Sequence, residues 1–293
     1  MQQKLKETHQ LTSKDGAFEF LRKVLSSSYP LAVWRLPLTD KIIALVDLTS
    51  DETFYNREIE NLDKCFVING YCDTHPTNPM VLRGDIYLEI DQNQVSMSVS
   101  PTLSADTFET FQNELESSKP NELKGFLTCD HPDYPAMVAE AVNKIKEGTL
   151  HKVVLSRFED FDLPQEFDPF TTLQKLSDKY ENAFCYLINT KTYGCWIGAT
   201  PEKLIALNEN QYFSTDALAG TQVLPEDKEL CAVAWTQKEI EEQAMVSRYI
   251  IDCFKKIRLR EFDEIGPKTV KAGNLTHLKT EFKVDMEATN SPL

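Results

Sequence analysis

Short apolar runs separated by turn-forming residues fill the first third of the chain, and they limit its fold more than any other feature. Runs at 31–36, 42–46, 65–68, 86–90 and 95–99 alternate with Pro, Asn, Asp and Gly, each the length of one strand. Three more follow at 184–188, 193–198 and 203–207, the last joined through Asn208, Glu209 and Asn210 to a run that ends at Ala217, Leu218 and Ala219. Parallel neighbours need crossovers of a dozen or more residues, and short turns leave antiparallel pairing. The expected class is α+β, with packed antiparallel β-sheets and helices on the outside.

Two helices stand out between and after these runs. Tyr134, Met137, Val138, Ala141, Val142 and Ile145 repeat with helical period, Pro135 suits a first turn and Gly148 a stop. This helix leads into 151–157, which reads as a strand with Lys152, Val154 and Ser156 on one face and Val153 and Leu155 on the other. The second helix is expected over 236–258, with Val246, Tyr249, Ile250, Cys253 and Ile257 as its apolar stripe. Counting back by four and then three places Glu242 and Glu239 on that stripe, with Glu241 facing elsewhere. The polar stretch 114–122 is the expected surface connection between a sheet scaffold, 1–120, and the part carrying the motifs, 121–293.

Composition removes several classes of function. Acids outnumber bases 46 to 31 for a net charge of −15, so nucleic acid and anionic membrane are excluded as partners. No apolar stretch reaches spanning length and the first residues lack the apolar segment of a signal peptide, which makes a cytoplasmic protein the expectation. The seven cysteines include no Cys-x-x-Cys pair and read as buried thiols of a reducing compartment. His9, His75, His131 and His151 form no metal-ligand spacing.

Each candidate side chain has an ordinary explanation beside a chemical one. A lysine among Val and Leu can guard a strand edge, or be desolvated enough to act as a base. Glu202 can be a solvated strand end or a carboxyl held protonated as an acid. Gly220 in Ala219-Gly220-Thr221 can end a strand or let backbone N–H groups approach a carboxylate. Glu239 and Glu242 suit a helix N-terminus, yet their place on the stripe points inward. A lone histidine such as His277 is more often structural.

Taken together, the run around Lys152, Gly198-Ala199-Thr200-Pro201-Glu202, the 215–221 turn, the Glu239/Glu242 pair and Leu275-Thr276-His277-Leu278 resemble the chorismate-utilising enzymes, most nearly the isochorismate synthases. The likeness is dense from about 134 to 278 and thin before. It implies the anthranilate/aminodeoxychorismate synthase-like fold and the Mg²⁺-dependent conversion of chorismate to isochorismate for menaquinone or a catechol siderophore. By the same resemblance, Lys152 activates the water that attacks ring C2 and Glu202 protonates the departing C4 hydroxyl. Ala219, Gly220, Thr221 and His277 line the substrate; Glu242 is the direct Mg²⁺ ligand and Glu239 a water-mediated one. Ala217-Leu218-Ala219-Gly220-Thr221 differs from the Pro-Ile-Ala-Gly-Thr of members that deliver ammonia. A salicylate synthase is the nearest alternative, ahead of anthranilate or aminodeoxychorismate synthase.

Chorismate is a dianion, so an acidic chain needs a divalent cation, local Lys/Arg and backbone N–H groups to reverse the field in its pocket. Members of the family continue past the Leu-x-His-Leu segment into further substrate-holding elements and a second metal-binding glutamate, where this chain has a short polar tail, 287–293. The expectation is therefore a C-terminally incomplete catalytic core, a fragment of an enzyme that is a monomer when complete; the alternative is a catalytically incompetent protein of the same fold.

Overall fold

The computed structural model describes residues 13–49, 53–54, 62–70, 79–92, 94–117, 133–224 and 229–289. His9, His75, His131, Cys72, Cys129, residues 118–122 of the expected connection and residues 290–293 lie outside them. The fold is α+β, with antiparallel sheets and helices packed on their outer faces.

The strands are β1 (Leu31–Arg35), β2 (Ile42–Val46), β3 (Thr53–Phe54), β4 (Cys65–Ile68), β5 (Met80–Arg83), β6 (Ile86–Asp91), β7 (Gln94–Val99), β8 (Phe184–Thr190), β9 (Gly194–Thr200), β10 (Ala206–Leu207), β11 (Tyr212–Val223), β12 (Asp263–Ala272) and β13 (Leu275–Asp285). The helices are α1 (Lys14–Leu25), α2 (Ala105–Ser117), α3 (Tyr134–Lys146), α4 (Pro169–Lys179), α5 (Gln237–Lys256) and the short α6 (Met286–Thr289). They build a six-stranded sheet in the order β7-β6-β2-β1-β8-β9, a four-stranded sheet β10-β11-β13-β12 and a three-stranded sheet β3-β5-β4.

Period-2 alternation divides the six-stranded sheet between two cores. Leu31, Val33, Ala44, Val46, Leu88 and Leu187 pack beneath α1, α2 and α4 with Phe18, Phe111 and Phe170. Ala32, Leu45 and Ile188 face the other way, against Met80 and Leu82 of the three-stranded sheet. A sheet covered on both faces needs apolar residues at consecutive positions, which is why β1 and β2 read as unbroken apolar runs. Across the first of these cores, Arg22 holds Asp168 through Nη2–Oδ2 at 2.7 Å, and Asp168 caps α4 by accepting from the Thr171 N–H at 3.1 Å. Burial opposes ionisation of Asp168, but the Arg22 and Thr171 hydrogen bonds outweigh it and pull its pKa down to about 2.

In the four-stranded sheet, α5 covers one face through Phe254, packed with Ala217, Phe282 and Val284. The opposite face is charged. Asp216, almost fully buried, lies 3.3 Å from the Lys203 ammonium and 2.8 Å from that of Lys279, while Glu281 meets Lys203 and Lys283 at 3.6 and 3.3 Å.

Three expectations change. Residues 151–164 carry no regular secondary structure and join none of the strand pairings among the described residues, because extended backbone becomes a strand only where a neighbour offers hydrogen bonds. The strand expected at 203–207 shrinks to Ala206–Leu207, since Lys203 folds its side chain back onto Ser214 and Asp216. The stripe of α5 is also shifted: Gln243, Ser247 and Phe254 are its buried residues, and Tyr249 and Ile257 are exposed. Cys185 is buried as expected and burial pushes the Cys195 thiol to about 11, but Cys231 is exposed.

Candidate active site

The candidate residues fall into two groups, one where β11 meets the N-terminus of α5 and one in a cleft beside the β12–β13 turn. Gly220 occupies a bulge between Ala219 and Thr221 with φ +70°, a conformation glycine takes without strain. A Cβ there would stand 3.2 Å from Glu239 Cβ and 3.4 Å from its carbonyl oxygen. Gly220 therefore lets the first turn of α5 press against β11. Gln243, which the sequence reading did not single out, fastens the same contact by donating to the Ala217 carbonyl at 3.0 Å and to Thr280 Oγ1 at 3.1 Å. An amide at helical spacing from Val246 and Ile250 was the available signal.

Glu239 serves the helix. Its carboxylate accepts from the Thr236 N–H at 2.9 Å and from the Thr236 hydroxyl, closing a capping box; those bonds, the hydroxyl first, lower its pKa. Glu242, one turn on, is half-buried and lies 3.3 Å from the Lys152 ammonium through Oε1. Lys152 is thus brought to α5 although its segment is not a strand, and it is half-buried instead of enclosed.

Thr221 and His277 face each other across the β11–β13 register, with Thr221 Oγ1 and His277 Nδ1 3.2 Å apart. Ala219 pairs with Leu278 and is buried. His277 also lines a cleft of about 290 Å³ with Glu202, Pro201, Ala199, Tyr180 and Gly273, set between the end of the six-stranded sheet and the β12–β13 turn. Gly273, with φ +63°, leaves room there for the Tyr180 ring. Glu202 is exposed, and its carboxylate accepts from the Thr200 hydroxyl. The two residues that follow it are fixed to β11: Lys203 by Ser214 and Asp216, and Leu204 by its carbonyl, which accepts from Thr215 Oγ1 at 2.5 Å. The proposed acid and base are therefore held separately, Glu202 with His277 in the cleft and Lys152 with Glu242 on α5.

No cluster of three His, Cys, Asp or Glu side chains suited to a metal occurs among the described residues. With Glu239 committed to the helix cap, Glu242 is the carboxylate in this constellation left for a cation. One carboxylate suits a magnesium ion that keeps most of its waters.

Residues 66–293 match the family profile described as chorismate binding enzyme. The chain belongs to the chorismate-binding enzymes. One family relative, the isochorismate synthase MenF of Haemophilus influenzae, is 26% identical over 156 residues, a stretch that covers 52% of this chain and 36% of the relative. The match thus spans about a third of that protein's length. Two solved chorismate-enzyme structures share the fold. The menaquinone-specific isochorismate synthase MenF from Escherichia coli aligns with a TM-score of 0.59 at 15% identity, over 90% of this chain and 67% of that one. A putative 2,3-dihydroxybenzoate-specific isochorismate synthase, DhbC from Bacillus anthracis, aligns with a TM-score of 0.57 at 16% identity, over 90% and 71% of the two chains. No helix among the described residues of this family member is long and apolar enough to cross a membrane.

Proposed function

We propose that this chain carries the catalytic constellation of an isochorismate synthase, acting on chorismate with Mg²⁺ in the cytoplasm. The observation that supports it best is the meeting of Lys152 with Glu242 on the helix whose first turn packs against Gly220, side chains far apart in sequence. In this reading Ala219, Gly220 and Thr221 offer backbone and hydroxyl groups to a substrate carboxylate, and His277 orients beside them. Water oxygen bonds to ring C2, the ring double bonds shift and the C4–O bond breaks. Lys152 takes the proton from water, and Glu202 gives one to the departing hydroxyl, so the net change is isomerisation.

Two requirements follow for the chain's own residues. A lysine that accepts a proton starts neutral, so the Lys152–Glu242 pair must open first. The Glu202 carboxyl must leave water and approach the ring as the cleft closes on its ligand. Magnesium held at Glu242 would supply positive charge opposite the ring carboxylate.

The exposure of Glu202 and the irregular backbone around Lys152 favour one other reading, a protein of this fold that binds chorismate without turnover. Incubation of the purified chain with chorismate and Mg²⁺, with products separated by chromatography, decides between them. Isochorismate is the expected product; salicylate or anthranilate would reassign the reaction. Chorismate binding by calorimetry with no product would establish the binder.

A further inference from the structure

The cleft that holds Glu202 and His277 is built from two sheets whose apolar cores share no residue. Tyr180, Ala183, Ala199 and Glu202 line it from the side of the six-stranded sheet, Gly273 and His277 from the four-stranded one. The gap between the candidate acid and the histidine is therefore set where the two walls are joined. Gly273, at φ +63°, lies so close to the Tyr180 ring that a Cβ would stand 2.8 Å from Cδ1 and collide with the ring edge. Beside this contact the Asn182 side-chain amide donates to the Lys271 carbonyl at 3.2 Å. The β12–β13 turn is also tied back to the end of β11, since the Asn274 carbonyl accepts from the Leu224 N–H at 2.9 Å.

Tyr180 and Asn182 belong to a tight turn closed by the Ala183 N–H, which donates to the Tyr180 carbonyl at 3.0 Å. That turn is held by Arg35 at the end of β1, a side chain buried to 5% exposure. Its Nη2 donates to the carbonyls of Tyr180 at 2.7 Å and Ala183 at 3.2 Å, and its Nη1 to that of Glu181 at 3.1 Å. Nη1 also donates to the Leu36 carbonyl at 2.9 Å, so one guanidinium fastens the turn to the chain leaving β1. The Leu38 N–H reinforces this by donating to the Glu181 carbonyl at 2.9 Å. A planar fork of donors serves three carbonyls of one turn at fixed angles, which the point charge of a lysine on its flexible stem does not, and the charge strengthens each bond. We propose that Arg35 is a positioning residue for the candidate active cleft: it fixes the 180–183 turn, the turn seats Tyr180 and Asn182 against the β12–β13 turn, and that contact sets the gap between Glu202 and His277. Its effect on turnover rests on the isochorismate synthase reading, whereas the mechanical link from Arg35 to the β12–β13 turn does not.

Amide hydrogen exchange read by NMR tests the link without reference to activity. In the unmutated chain, opening of the 180–183 turn releases the β12–β13 turn, so the Leu224 amide should be no better protected than those of Leu38 and Ala183; a more protected Leu224 would overturn the proposal, and this measurement needs no variant to fold. Arg35→Lys should speed exchange about tenfold at Leu38, Ala183 and Leu224, and leave the Phe282 amide at the centre of β13 unchanged. Tyr180→Ala keeps the carbonyl that Arg35 holds, so it should release Leu224 and not Leu38. A rise shared equally by Phe282, or a Leu224 amide unmoved by both variants, would reduce Arg35 to a support of its own sheet. In turnover of chorismate, both variants should lower kcat by about tenfold or more with little change in KM, the mark of misplaced reacting groups; an unchanged kcat in a variant that frees Leu224 would likewise overturn the proposal. Should the unmutated chain form no product, the isochorismate synthase reading fails by itself, and calorimetric chorismate affinity replaces kcat: both variants should weaken it, and equal affinity in all three proteins would count against Arg35.

Discussion

The Lys152 ammonium stands 3.3 Å from Glu242 Oε1, so the candidate base and the candidate metal ligand hold each other. A cation arriving at Glu242 competes with Lys152 for the same carboxylate. Lys152→Met should therefore tighten Mg²⁺ binding by about fivefold, the worth of a partly exposed ion pair. Isothermal titration of the variant against wild type measures this, and Glu242→Gln should abolish the binding in both backgrounds. Unchanged affinity in Lys152→Met would place the ion away from Glu242.

Lys152 should also separate turnover from affinity. If it activates water, Lys152→Ala lowers kcat for chorismate by about 10² to 10⁴ and leaves KM near its wild-type value. A rise in KM alone would make Lys152 a binding residue.

At Gly220 the cost of a side chain is structural. Gly220→Ala adds a Cβ at φ +70° within 3.2 Å of Glu239 Cβ, and should lower stability by about 1–2 kcal/mol through strain in the left-handed region and displacement of α5. Urea denaturation followed by circular dichroism reads this directly. Substrate affinity should fall with it, because Thr221 and the α5 carboxylates move together.

The capping pair between α1 and α4 gives the fold a defined acid sensitivity. Asp168 has its pKa held at about 2 against an ordinary 3.8, so the folded state releases this proton more readily than the unfolded chain. Its contribution to stability is present above 3.8 and is lost as pH falls towards 2. Asp168→Asn keeps a capping acceptor but removes this dependence. Between about pH 5 and about pH 2.5 the wild-type urea midpoint should fall further than that of the variant, by an amount worth about 1 kcal/mol for so exposed a pair.

The sheet strands were legible in the sequence because alternation, apolar runs and turn residues are local signals. The runs around Val33, Ala44, Leu88 and Leu187 became strands close to where they were expected. Lys152 shows the limit of such signals: Lys152, Val153, Val154 and Leu155 have the composition of a strand, but pairing depends on what lies beside them in space. The α5 helix was legible in length and not in detail, since Tyr249 and Ile257 fit the apolar period yet face water, and the polar Gln243 sits where Ala217 and Thr280 satisfy its amide. Glu202 and Lys203 were expected on a strand; the attraction of Lys203 for Asp216 and Glu281 bends the chain there instead. The meeting of Thr221 with His277 follows from the β11–β13 register, which no single segment encodes.

That register is specified by both faces of the β11–β13 pair. Asp216 stands opposite Glu281, with Lys279 and Lys283 two places to either side of Glu281, while Phe282 and Val284 alternate with them toward α5. Sliding β13 by one residue would drive three charges into the packing under α5 and turn two apolar side chains out to water at once. Oil on one surface and charge on the other veto the same error independently, so the strand pair has a proofreading device of its own. Thr221 and His277 inherit that accuracy: loosening the Lys203–Asp216–Lys279 cluster should misalign them although Asp216 stands about 16 Å along β11 from Thr221 and Lys279 about 7 Å along β13 from His277.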